Sequence, residues 1–362
     1  MTRQTDRFLR ACRGEPVDTT PVWLMRQAGR YMPEYRATRA RAGDFLSLCR
    51  TPDLACEVTM QPVDQLDVDA AILFSDILVP LPGMGIPLDF TEEGPQLEPL
   101  RSAADIDRLV VADPASCSYV YKAVRQCRRA LALRGERAVP LIGFAGAPFT
   151  LLTYALEGHT SKQFVQSKRL LFAEPAAAHA LLDKLTQTVI GYLRAQVEAG
   201  AQALQLFDSW VGILGAEDFA VFAAPYVERV LTELRPLGVP LIYFPHGGSA
   251  LYEQVAALPA DVISVDWRMP IDTAAERLGI AAGRGRAGTV AIQGNLDPLR
   301  LLGPIDALEL QVADILRRAR GLRCGHIFNL GHGIVPQTPV AHVRALVEAV
   351  HRLGASPVPA AA

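Results

Sequence analysis

PLIGFAGAP, residues 140–148, is an apolar run of five that gives way to small residues and ends on a proline. It is too short for a helix, and its punctuation at both ends reads as a buried strand. The pattern recurs. Residues 203–207 lead into Asp208 and Ser209, 240–244 into Pro245, His246, Gly247 and Gly248, and 262–265 into Asp266, Trp267 and Arg268. Residues 290–292 lead into Gln293, Gly294 and Asn295, and 326–330 into Gly331, His332 and Gly333. Upstream, 22–25 run into Arg26 and 70–74 into Ser75 and Asp76, making eight short strands. Helical stretches at 176–199, 216–234 and 305–320 separate them. Short apolar strands alternating with helices predict a parallel sheet covered on both faces. Eight of them predict an α/β fold of the (β/α)8, or TIM-barrel, type, whose active site lies at the C-terminal strand ends. A doubly wound open sheet is the competing arrangement.

The remaining sequence is accommodated in one domain, residues 1–362, with 1–5 and 354–362 expected to fray. A short helix is predicted over 6–12 and a helix or mobile arm over 36–49. Thr51 and Pro52 read as N-cap and first turn of a helix reaching about residue 66. The Pro- and Gly-rich stretch 80–99 suggests a hairpin excursion, and 105–109 and 118–133 suggest helices. A net charge of −2 gives no nucleic-acid footprint. Six cysteines without a CxxC pair predict free thiols in a reduced, cytoplasmic protein. No signal-like apolar region and no membrane-spanning run are expected, and no metal site is predicted.

The strand ends carry the candidate chemistry. Arg26 and Arg30, with Gln27, Ala28 and Gly29 between them, put two guanidiniums on one turn, suited to a ligand with several carboxylates or phosphates. Pairing with structural acids is the alternative. Gly29 is the expected left-handed or close-approach position. Asp76 is a lone carboxylate among apolar neighbours, either a helix cap, a partner for an arginine, or a functional anion. Tyr154, about two turns into the helix after residue 148, is a core tyrosine or a ligand contact. Ser209 is a helix cap or a binding hydroxyl; no nucleophile elbow surrounds it. His332, between two glycines, is structural or able to carry charge near carboxylates.

Four stretches resemble one family. PVWLMRQAGRYMPEYR (21–36) and GFAGAPFTLLTYALEG (143–158) resemble the two signatures of the uroporphyrinogen decarboxylase family, LFSDIL (73–78) its aspartate motif and NLGHGI (329–334) its closing motif. The resemblance covers about residues 4–350. It implies a barrel that removes the four acetate carboxyls of uroporphyrinogen to give coproporphyrinogen without a cofactor. It implies that Asp76 lies under the tetrapyrrole and accepts its pyrrole N–H groups, stabilising a cationic intermediate formed when a ring carbon is protonated. Arg26, Gln27, Ala28, Gly29, Arg30, Tyr154, Ser209 and His332 are then substrate-binding, Phe144 and Phe207 face the macrocycle, and the protein is a homodimer. Two rivals remain. Zinc-dependent cobamide-type methyltransferases share the barrel pattern but need a His-x-Cys, and Gly248 stands where that cysteine would be, with Cys324 unmatched. A non-catalytic tetrapyrrole carrier would not need Asp76.

Overall fold

The computed structural model of the protein describes residues 5–91, 94–285 and 288–355. Nine strands occur among them: β1 (Ala71–Ile72), β2 (Leu88–Thr91), β3 (Gly94–Leu97), β4 (Leu141–Gly146), β5 (Ala203–Asp208), β6 (Leu241–Pro245), β7 (Val262–Ser264), β8 (Ala291–Gln293) and β9 (Gly325–Ile327). Strands β1 and β4 to β9 form one curled parallel sheet whose spatial order is the chain order. Every residue of β4 is buried, as a strand covered on both faces requires. Strands β2 and β3 pair separately as an antiparallel hairpin within the expected 80–99 excursion.

Seven of the eight expected strands therefore join the sheet, and 22–25 does not form an extended ladder. The reason lies in its hydrogen bonds. Val22 N–H donates to the Asp69 carboxylate (2.8 Å), Leu24 N–H to the Gln27 side-chain oxygen (3.1 Å) and Met25 N–H to the Asn329 side-chain oxygen (3.0 Å). Only Trp23 N–H reaches a neighbouring strand's extension, at the Phe328 carbonyl (3.4 Å). Three side chains thus satisfy donors that a ladder would have used. One parallel bridge, Val22 to Phe328, remains, and Asp69 N–H donates to the Val22 carbonyl on the other side (2.7 Å). The segment lies between β9 and the start of β1.

Inside the curl, Trp23 donates to Gln293 (2.9 Å), which in turn donates to Gln205 (3.1 Å) and Ser264 (3.0 Å). This fully buried chain links 22–25 to β5, β7 and β8. Phe144, Phe207 and Phe244 meet edge-on toward the C-terminal strand ends, with centroids 5.6 and 6.2 Å apart.

The helices follow the sequence with three departures. The 36–49 stretch is helical, as Pro33–Ala42 and Phe45–Arg50, broken where Gly43 takes φ 83° and Asp44 caps Ser47 N–H. Thr51 precedes the helix Pro52–Gln65 but donates its hydroxyl back to Ser47 instead of capping. The expected helix over 216–234 splits at Ala223 into Ala216–Phe222 and Ala224–Leu234, because Pro225 has no N–H to give the carbonyl four residues back and its ring crowds that carbonyl. Residues 1–4 and 356–362 of the expected frayed ends lie outside the described residues. Residues 354–355 are held: Thr20 N–H donates to the Gly354 carbonyl and Ala355 bridges Thr19.

At the end of the sheet opposite the candidate site, Asp69 is the tie. Buried, it also accepts from Arg7 (3.2 Å) and His351 (2.7 Å), joining the first helix, the 22–25 segment and the last helix. Substituting Asp69→Ala strands the Val22 N–H in the interior and leaves buried Arg7 with Asp18 (2.6 Å) as its remaining acid. The expected cost is about 2–4 kcal/mol of unfolding free energy, seen as a melting midpoint lower by roughly 4 °C. An unchanged midpoint would remove Asp69 from this role.

Candidate active site

The turn after Met25 carries strain where the sequence did not locate it. Arg26, not Gly29, takes the left-handed conformation, with φ 59°, an uncommon state for a residue with a side chain. Gln27 holds it there. Its side chain lies beneath the turn, accepting from Leu24 and donating to the Ala70 carbonyl (3.1 Å), while its own carbonyl accepts from the Tyr31 hydroxyl (2.6 Å). Arg36 ties down the far side through the Arg30 and Tyr31 carbonyls. Arg26 and Arg30 are left exposed, with Ala28 and Gly29 half-buried between them. Among the described residues, no side-chain hydrogen bond or ion pair engages either guanidinium. The Arg26 side chain crosses Gly333, where a Cβ would come within 2.4 Å of its Cδ. That glycine is the clearance for the arginine.

Asp76 follows β1 on the same face. Its carboxylate accepts from Leu78 N–H (2.9 Å). Burial pushes its pKa up to about 6, partly offset by that N–H and by the positive charge of Arg26. The residue retains some surface exposure, so it is a deep-set group open toward the cleft. Tyr154, on the helix Pro148–Glu157, is half-buried against Trp210, with centroids 6.0 Å apart. Burial and the Asp76 charge push its hydroxyl above the usual tyrosine range.

Ser209 follows β5, and its carbonyl takes a hydrogen bond from His246 Nδ1 (3.1 Å) at the end of β6. The His246 ring lies 4.5 Å from that of His332 after β9. Burial, with His246, Arg26 and Arg268 nearby, pushes the His332 pKa down to about 3. The sequence allows His332 a positive charge at neutral pH. In the structure burial and the arginines around it work against that charge. Arg26, Asp76, Tyr154, Ser209 and His332 thus stand around the C-terminal end of the sheet, with Gln27 below them.

A model of the uroporphyrinogen decarboxylase family matches residues 3–353. The chain belongs to this family. It is 52% identical over 351 residues to a uroporphyrinogen decarboxylase of Myxococcus xanthus, covering 96% of this chain and 97% of the relative. It is 49% identical to one from Carboxydothermus hydrogenoformans, covering 96% of each. A methyltransferase from Methanosarcina mazei has a similar fold, with a TM-score of 0.78 at 20% identity over 96% of this chain and 98% of that one. A B12-independent methionine synthase from Shewanella gives a TM-score of 0.52 at 11% identity, covering 84% and 86%. At such identities these two matches speak for the fold alone.

In this member of the uroporphyrinogen decarboxylase family, the site also includes residues to which sequence reasoning assigned no role. His246 and Arg268 face it from the ends of β6 and β7, and Trp210 backs Tyr154. Asp208, fully buried, accepts from Thr150 (2.7 Å) and Tyr243 (2.8 Å), and Thr150 also receives Trp210 N–H (3.2 Å). Burial pushes the Asp208 pKa up to about 6 against those two hydroxyls. Their signal was position: each of the acids, the histidine and Arg268 stands within four residues of a strand's end. No group of three His, Cys, Asp or Glu side chains able to hold a metal occurs among the described residues.

The raised pKa of Asp76 has a sign that can be tested. The native state holds the proton more tightly than the unfolded chain, so the charge costs stability above about pH 6, and the cost vanishes below about pH 4. Substituting Asp76→Asn should therefore stabilise the protein by about 1–3 kcal/mol at pH 7–8. The gain should fade as the pH falls from 6 to 4. Thermal unfolding across that range checks it; a variant no more stable at pH 8 would mean the carboxylate is already compensated.

Proposed function

We propose that this protein is a carboxy-lyase that removes the four acetate carboxyls of uroporphyrinogen III, giving coproporphyrinogen III and carbon dioxide in porphyrin and heme biosynthesis. The observation that carries the reading is the setting of Asp76: one deep carboxylate at the floor of a ring whose rim offers two uncommitted guanidiniums. A substrate with eight carboxylates and a flat apolar macrocycle is complementary to that arrangement. Arg26 and Arg30 can each take a carboxylate by a two-pronged contact. Tyr154, Ser209 and His332 add donors around the rim, and Phe144 and Phe207 offer the ring an apolar bed. Gln27, Ala28 and Gly29 set the spacing of the two arginines.

Loss of each carboxyl requires protonation of a pyrrole ring carbon. The resulting cation then accepts the electron pair of the breaking bond as CO2 leaves. The exocyclic methylene carbon takes a proton while the ring carbon gives up the one it gained, so that a methyl on a neutral pyrrole is left and one proton is consumed per carboxyl. In this reading the Asp76 carboxylate accepts the pyrrole N–H groups and faces the cation as it forms. A fixed charge in a desolvated site acts strongly there without reorganising. The tetrapyrrole is its own electron sink, so the reading uses no cofactor.

The reading includes a single domain in which 22–25 serves as the eighth stave of a (β/α)8 barrel, in a cytoplasmic homodimer as the family resemblance implies. Among the described residues no helix is long and apolar enough to cross a membrane. The methyltransferase alternative has less support, since Gly248 offers no thiolate beside His246. A tetrapyrrole carrier would have no use for a destabilising buried acid.

Anaerobic incubation of the purified protein with uroporphyrinogen III should give, after oxidation and chromatography, porphyrins with seven, six, five and finally four carboxylates. Folded protein that returns only the eight-carboxylate porphyrin would refute the assignment.

A further inference from the structure

Arg268 follows β7, on the arc of strand ends that carries neither Arg26 nor Arg30. Its guanidinium is unusually well fixed for a side chain that is 46% exposed. One terminal nitrogen, NH1, donates to the fully buried Asp266 carboxylate (2.7 Å) and lies 3.4 Å from His246 Nε2. The group lies over the Trp267 ring, 4.4 Å from its centroid, a favourable cation–π position. Asp266 is committed to holding this corner: it also accepts from Arg268 N–H (2.9 Å) and Gly247 N–H (2.7 Å). His246, with Nδ1 donating to the Ser209 carbonyl, presents Nε2 as an acceptor toward Arg268. A guanidinium has five N–H donors in a planar fork. The NH1 pair is engaged here, and among the described residues nothing engages Nε–H or the two N–H groups of NH2. Those lie along the edge that binds a carboxylate in two-pronged fashion.

Resting on the functional reading above, we infer that Arg268 is a second carboxylate-binding pole of the site. Asp266, Trp267 and His246 orient it to take one side-chain carboxylate of the tetrapyrrole at the β7 strand end, a different element from the turn that carries Arg26 and Arg30. The site then grips an octacarboxylate from two elements rather than one. This suits a macrocycle that must be seated flat over Asp76 whichever acetate is presented. The ordering entropy of the side chain is already spent in the protein, so the contact is preorganised.

The test uses Arg268→Lys, which keeps a charge for Asp266 but cannot form the two-pronged contact, and Arg268→Gln, which removes the charge. Melting curves confirm that both fold. Two readouts are taken: KM and kcat for uroporphyrinogen III, and equilibrium binding of the oxidised octacarboxylate uroporphyrin by tryptophan quenching, which needs no turnover. Losing a charge-assisted pair is expected to raise KM and weaken porphyrin binding by roughly tenfold to a hundredfold in Arg268→Gln. Arg268→Lys should lie between that variant and the wild type, and the loss should fall mainly on KM. Folded variants that bind and turn over within about twofold of the wild type would overturn the inference alone, leaving Arg268 as a brace for Asp266. Wild-type protein that neither binds the porphyrin nor consumes uroporphyrinogen would overturn the functional reading and this inference with it.

Discussion

Four backbone N–H groups, those of residues 22–25, decide where the site can be. They lie in the interior, where an unpaired donor costs on the order of 1–3 kcal/mol. Asp69, Gln27 and Asn329 pair three of them through side chains. A ladder strand would leave along the sheet direction. A segment held by side chains can turn sharply at its last residue, and here it turns with Arg26 in a left-handed conformation. Gln27 is both a partner of the strand and the floor of the turn, so the fold and the presentation of the arginines rest on the same amide.

Across the cleft the structure accepts a cost of the opposite kind. Asp76 is kept deep with one N–H donor and a distant positive field, and burial dominates its proton affinity. Nothing in the packing requires a carboxylate there; an amide could accept the same N–H. Asp208 is buried more completely still but has two hydroxyls committed to it, and Asp266 has its arginine. Of the three acids at these strand ends, Asp76 is the one whose protein partners leave most of its hydrogen-bonding capacity unused. A substrate with inward-pointing N–H groups would complete it.

How far this was legible in the sequence varied with the physics involved. Strands buried on both faces announce themselves as apolar runs, and the residues that close them, from Asp76 to His332, are conspicuous because polarity changes abruptly. Residues 22–25 carry the same apolar signal. What replaced their ladder is three side chains distant in sequence or outside the run, which periodicity does not reveal. The break at Ala223 has a local signal, Pro225, set within an otherwise helical pattern. The lowered basicity of His332 depends on its burial and on which charges surround it in space, and Arg268 gains its meaning only from Asp266 beside it and His246 on a different strand end. Resemblance to the uroporphyrinogen decarboxylase family named the ring of residues, while their burial, orientation and electrostatics came from the structure.

The central claim is that the Asp76 charge acts chiefly on the cation formed from the reacting ring and far less on affinity for the uncharged macrocycle, whose N–H groups an amide oxygen can also accept. Substituting Asp76→Asn and measuring single-turnover decarboxylation of saturating uroporphyrinogen III, alongside binding of uroporphyrin, separates the two. The account predicts a rate at least roughly a hundredfold lower with porphyrin affinity within a few-fold of the wild type. A rate close to that of the wild type in the folded variant would contradict it.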